Sequence, residues 1–159
     1  MVGFCTLIIL VALIDQGVKI AIKTFLAMNQ SITVIPGVLS FTYVENPGAA
    51  FGMLKRQIPL FLLLTLILFY LVYRYRRQIA KQPPAFRYGL AVGLGGALGN
   101  FIDRILRGGV IDFLDLEFWP LENWPVFNLA DAAIMLGAVI IFFFLFHDPN
   151  LAHSRKGEA

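Results

Sequence analysis

Long apolar runs dominate this chain, and polar residues gather at a few places between and within them. A helix needs about 20 apolar residues to cross a bilayer. Four stretches come near that length, at about 2–25, 58–73, 85–101 and 128–146, and each predicts a spanning helix. Between the first two, Pro36-Gly37 signals a turn. The residues that follow alternate: Leu39, Phe41 and Tyr43 fall on one face, Ser40 and Thr42 on the other. That pattern predicts a small strand or hairpin at the membrane surface. The loop before the fourth stretch carries Phe118, Trp119 and Trp124 with Pro120 and Pro125, and tryptophan suits the headgroup level. The expected fold class is therefore an all-α polytopic membrane protein, with four transmembrane helices, a small extracytoplasmic β element and an outer loop. No repeat or linker divides it, so residues 1–159 are read as one membrane domain.

Composition supports this reading. Of 159 residues, 58% are hydrophobic and 14% charged, against about 25% charged in an ordinary soluble domain. Little is left for a separate soluble unit. The net charge is +3, but the cations are concentrated in Arg74-Tyr75-Arg76-Arg77-Gln78-Ile79-Ala80-Lys81, with Arg87 close behind. The positive-inside rule makes that loop cytoplasmic. The basic balance thus reads as topology rather than as a nucleic-acid partner. The N-terminus and the tail with Arg155 and Lys156 then share its side, and the loops at about 26–57 and 104–127 face outward. The second outer loop sets Asp112, Asp115, Glu117 and Glu122 against Arg104 and Arg107. Cys5 is the sole cysteine, which excludes an internal disulfide framework. His147 and His153 follow the last span, so no metal or other cofactor is expected. The start of the chain lacks a basic region before its apolar run, and no cleaved signal peptide is expected.

Against this background the intramembrane and near-membrane acids stand out. Ionisable residues at that depth are costly, so each is a functional-site hypothesis by default. Asp131 lies in Phe127-Asn128-Leu129-Ala130-Asp131, opening the last apolar stretch, and Asp112 lies in the loop before it. Two carboxylates that can meet are the minimum equipment for acid–base hydrolysis. The plainer reading of Asn128 and Asp131 is a capped helix N-terminus with an acid in its first turn. Asp15 and Lys19, four apart, read as an ion pair that neutralises itself, with a proton or ion path as the rival. In the third span, Gly89/Gly93 and Gly95/Gly99 are each four apart, a spacing that lets helices approach closely in lipid. Asn100, Asp103, Arg104 and Arg107 follow on one face, which should meet a wet or protein-lined cavity. Asn46-Pro47-Gly48-Ala49-Ala50-Phe51 is either a turn or a small-residue loop that a ligand backbone can approach.

Taken together, five segments resemble the lipoprotein signal peptidase (signal peptidase II) family. They are Asp15-Gln16-Gly17-Val18-Lys19, the Asn46–Phe51 segment, Gly95-Gly96-Ala97-Leu98-Gly99-Asn100-Phe101-Ile102-Asp103-Arg104, Val110-Ile111-Asp112-Phe113 and Phe127–Asp131. They stand in the family's order and cover nearly the whole chain. The resemblance implies an aspartic endopeptidase of the bacterial cytoplasmic membrane, working as a monomer near the extracytoplasmic face. It implies cleavage of diacylglyceryl-modified prolipoproteins before the lipidated cysteine, membrane lipids as surroundings, and inhibition by a globomycin-type cyclic peptide. The family's catalytic aspartates match Asp112 and Asp131. Its supporting residues match Asp15, Lys19, Asn46, Gly48, Asn100, Arg104 and Asn128. Asp103 is the rival for the first catalytic position, expected instead to pair locally with an arginine. Three other classes are weighed beside this one: an ion-coupled transporter using the acids as a relay, a serine–lysine peptidase using Ser31 or Ser40, and a non-catalytic scaffold.

Overall fold

The computed structural model describes residues 1–48, 57–121 and 124–147. Ala49, Ala50, Phe51, Glu122, His153, Arg155 and Lys156, all invoked above, lie outside the described residues. In chain order the elements are α1 (Val2–Phe25), β1 (Ser31–Ile35), β2 (Leu39–Asn46), α2 (Ile58–Arg74), α3 (Arg76–Lys81), α4 (Pro84–Arg107), β3 (Val110–Leu116) and α5 (Leu129–His147). The protein is mostly helical, with one small sheet of order β1-β2-β3, antiparallel throughout. Helix α1 and residues Leu129–Phe146 of α5 are long and apolar enough to cross a membrane; α2 is apolar but shorter.

Helix α4 is central and packs against both α5 and α1. Its glycines explain how. A Cβ on Gly89 would meet Ile140, and one on Gly96 would strike the carbonyl oxygen of Ala130, both on α5. A Cβ on Gly95 would lie 2.6 Å from Cβ of Val11, and one on Gly99 2.5 Å from Oδ2 of Asp15, both on α1. The two glycine pairs of the sequence therefore serve two different neighbours. Close approach without side chains is how helices gain packing contacts in lipid. Gly137 of α5 meets α4 the same way, beside Gly89 and Gly93.

The buried stripe of α1 is Phe4, Ile8, Ala12, Asp15, Lys19 and Ile22, spaced by three or four residues. Its N-terminal half joins Ala91, Leu94 and Ile79 in one apolar cluster. Its C-terminal half joins Leu26, Tyr43, Ile111 and Phe113 in another, which seats the sheet on the helices. Phe41 and Tyr43 do face this cluster, with Phe41 edge-on to Phe113 at 5.9 Å. Ser40 lies on the other, polar face of β2. It is buried and donates to Glu117 of the neighbouring segment.

Three features of these elements matter for the site. Asp112 is in strand β3, not in a loop. Pairing with β2 sets Val44 opposite Asp112 and Asn46 opposite Val110. Helix α4 is longer than the apolar span of about 85–101 and runs to Arg107, carrying the polar residues that follow that span on the same helix. It stops because Gly108 takes a left-handed conformation, φ +70°, which glycine adopts at no steric cost. The basic loop contains the short helix α3, pinned by buried Ile79.

Candidate active site

The C-terminal end of α4 and the N-terminal end of α5 meet strands β2 and β3, and Asp112 and Asp131 both line the cavity there. Both line one cavity of about 280 Å³, with Asn46, Gly48, Asn100 and Arg104. The cavity continues past Trp124 and Phe127 and along α5 by way of Ile134, Met135 and Ala138. Those three positions follow Asp131 at helical spacing, so one stripe of α5 is acidic at its head and apolar below.

Each element delivers its residue for a local reason. The Gly108-Gly109 turn ends α4 and sends the chain back as β3, which places Asp112 beside the end of β2. Asn128 opens α5 as its cap. Its Oδ1 accepts the Asp131 N–H at 2.9 Å, and Asp131 Oδ2 accepts the Asn128 N–H at 3.3 Å. This reciprocal pair is a capping box. The plain reading of Asn128 and Asp131 as a helix start is correct, and it is also what holds the Asp131 carboxylate still.

The three asparagines share a design. Asn46 Oδ1 accepts the Gly48 N–H at 3.0 Å, so its Nδ2 is left to donate to Asp112 Oδ2 at 2.9 Å. Asn128 Oδ1 is occupied by the cap, so its Nδ2 reaches Asp112 Oδ1 at 2.6 Å and Asn100 Oδ1 at 3.2 Å. Asn100 Oδ1 also accepts from Lys19 Nζ at 3.0 Å, and its Nδ2 donates to Asp131 Oδ1 at 2.7 Å. An ammonium can only donate and a backbone N–H can only donate, which settles all three amide orientations. Each of the four carboxylate oxygens thus takes one protein N–H and keeps acceptor capacity toward the cavity.

Burial pushes the Asp112 carboxyl up to about 7. The Asn46 and Asn128 hydrogen bonds favour its charged form, and the Asp131 charge opposes it. Burial wins because desolvation disfavours the ion more than two amide donors restore. At neutral pH the pair therefore sits where one proton is readily held and readily lost.

The polar face of α4 splits. Asn100 and Arg104 turn to the cavity; Arg104 reaches the Gly48 carbonyl at 3.5 Å and stacks on Phe61 at 4.6 Å. Asp103 and Arg107 turn away toward α1. Asp103 is fully buried and pairs with Arg107, as expected, but also with Lys19 at 2.8 Å. Lys19 pairs with Asp15 at 2.8 Å as well. Gln16, to which no role was assigned from sequence, donates to Asp103 at 2.8 Å and accepts from Arg107 at 3.0 Å. Its only sequence signal was its place between Asp15 and Lys19. The two serines of the rival peptidase reading are committed elsewhere: Ser40 to Thr33 and Glu117, Ser31 to Thr42.

Known proteins carry the same architecture. Two bacterial membrane enzymes solved by the in meso method superpose on the chain. One, at 2.3 Å resolution, gives a TM-score of 0.85 with 31% identity, covering 93% of this chain and 90% of its own. The other, at 1.9 Å, gives 0.82 with 31% identity, covering 93% and 95%. The protein is thus of the membrane-enzyme class. The model of the signal peptidase (SPase) II family matches residues 7–147. The lipoprotein signal peptidase of Pelotomaculum thermopropionicum is 39% identical over 150 residues, 94% of this chain and 95% of that protein. The lipoprotein signal peptidase of Moorella thermoacetica is 44% identical over 138 residues, 87% and 89% of the two. The chain belongs to the signal peptidase II family, a family of peptidases.

Proposed function

We propose that Asp112 and Asp131 are the catalytic dyad of an aspartic endopeptidase that removes signal peptides from diacylglyceryl-modified prolipoproteins, cutting before the lipidated cysteine. One observation carries the assignment: two carboxylates line one cavity, and each of their four oxygens is held by a fixed N–H. Such a pair shares a proton. The ionised member takes a proton from a water as its oxygen attacks the scissile carbonyl carbon. The protonated member donates to the carbonyl oxygen. Collapse of the tetrahedral species breaks the C–N bond, and the departing amine of the cysteine takes up a proton from the dyad. No covalent intermediate is required.

Arg104 and Asn46 stand at the cavity wall, where they would bind the substrate backbone. The apolar stripe of Ile134, Met135 and Ala138 would receive apolar substrate in the bilayer. Burial of an acyl chain at about 0.8 kcal/mol per CH₂ is ample to favour a diacylated cysteine over a bare one. In this reading α1, α2, α4 and α5 all span the bacterial cytoplasmic membrane, both termini and α3 are cytoplasmic, and the sheet and dyad lie at the extracytoplasmic face. The protein acts as a monomer, and a globomycin-type peptide blocks the cavity.

The test is cleavage of a diacylglyceryl-modified prolipoprotein by purified protein in lipid. Wild type should cut before the lipidated cysteine. Asp112→Asn and Asp131→Asn should be silent, and Asp103→Asn should keep part of the rate. Full cleavage by folded Asp112→Asn, with Asp103→Asn dead, would move the first catalytic position to Asp103.

A further inference from the structure

Asp15, Lys19 and Asp103 do not line the dyad cavity, are completely buried, and have no part in the proton transfers above. With Arg107 they make a cluster of two cations and two anions. Burying ions costs desolvation, and apolar replacements of such clusters are often as stable. Stability alone is therefore a weak account of it, and its remaining hydrogen bonds show what else it does.

Lys19 has three N–H donors and uses all of them, on Asp15 at 2.8 Å, Asp103 at 2.8 Å and Asn100 at 3.0 Å. The second oxygen of Asp15 accepts the backbone N–H of Ala130 at 2.9 Å, next in chain to Asp131. Asp103 Oδ2 accepts the backbone N–H of Ile111 at 3.2 Å, next in chain to Asp112. Asn100 donates to Asp131 itself. Strand β3 and helix α5, which carry the two aspartates, are thus tied to carboxylates that share one ammonium.

We infer that Asp15, Lys19 and Asp103 are positioning residues that set the separation and orientation of the two aspartates, with the Lys19 ammonium as the common anchor. The inference rests on the dyad reading and deepens it. The cluster acts through backbone and amide contacts, so disturbing it should slow the chemical step more than it weakens binding. A misplacement of about 1 Å can cost about 100-fold in rate.

The test measures kcat and KM on a diacylglyceryl-modified prolipoprotein across the neutral pH range, with thermal unfolding in the same lipid. Lys19→Arg keeps the charge but replaces three tetrahedral donors with a planar fork. Its kcat should fall about 10- to 100-fold with KM little changed, and its alkaline limb should move. Asp15→Asn keeps an acceptor for the Ala130 N–H and should retain more rate than Asp15→Leu, which keeps none. Folded Lys19→Arg and Asp15→Leu with wild-type kcat and pH profile would overturn the proposal. If Lys19→Arg does not fold, the Asn-against-Leu comparison at Asp15 decides it. Asp131→Asn in the same assay separates the two readings. If it is silent while the cluster variants run at full rate, only the positioning role falls. If it cuts, the dyad reading falls and the positioning role with it.

Discussion

Asparagine has one side-chain acceptor and one donor group, and the site depends on that asymmetry. Donors occupy the oxygens of Asn46, Asn100 and Asn128, so their NH₂ groups are turned to the carboxylates, with that of Asn128 also reaching Asn100 Oδ1. Replacing Asn46 by Ala removes one donor from Asp112. A hydrogen bond to a charged group contributes about 1.5–3 kcal/mol, so kcat/KM should fall about 10- to 100-fold in a steady-state assay. Loss of either carboxylate removes an acid–base group worth about 10²- to 10⁴-fold; the dyad variants should show no cleavage above background. Asp112 titrates near 7, above the ordinary carboxylate value of 3.8. As pH rises through about 7 the pair loses its shared proton, and a pH–rate profile should show activity declining there. The same sign holds for stability. The buried, neutral Asp112 favours the native state fully below pH 3.8, and that contribution is lost as pH rises through about 7.

At the scale of elements, helix α4 holds the site together through glycines at its closest approaches to its neighbours. Gly96 has no room for a Cβ against the Ala130 carbonyl, and a Cβ on Gly137 would lie 2.5 Å from the Gly89 carbonyl. Gly96→Ala or Gly137→Ala should destabilise by about 1–3 kcal/mol, the cost of overpacking, read as a lower unfolding temperature in detergent. Gly96→Ala should also slow cleavage, because Ala130 precedes Asp131 on the helix it would displace. A matched substitution at exposed Gly3, where a Cβ meets nothing within 4 Å, should change neither. The glycine spacing was legible in the sequence as close packing. Which pair served which helix was not, because a one-dimensional pattern carries the period of a face but not the identity of its neighbour. Strand β3 was missed for a related reason. Val110–Leu116 is apolar with Asp112 and Asp115 inside it, too short and too mixed to show a period of two, and it is a strand only because β2 supplies the pairing edge.

At the scale of the molecule, the orientation in the membrane is open to a direct measurement. In a Cys5→Ser background, Ser31→Cys and Arg77→Cys place single thiols at exposed positions on opposite ends. A membrane-impermeant thiol reagent should label the first on intact cells and the second only after permeabilisation. The reverse pattern would invert the proposed topology. The sequence by itself determined the membrane character, the close-packing glycines, the Asp15–Lys19 pair, and the short set of polar residues worth inspecting. Those follow from composition and from helical spacing, which are local properties of the chain. Only the tertiary structure decided how that set divides. Asn100 and Arg104 turn to the cavity while Asp103 and Arg107, one step round the same helix, turn to a buried ion cluster. It also decided that Asn128 is at once a helix cap and a donor to Asp112. Such assignments depend on which donor lies opposite which acceptor across elements far apart in sequence, and no local rule encodes that distance.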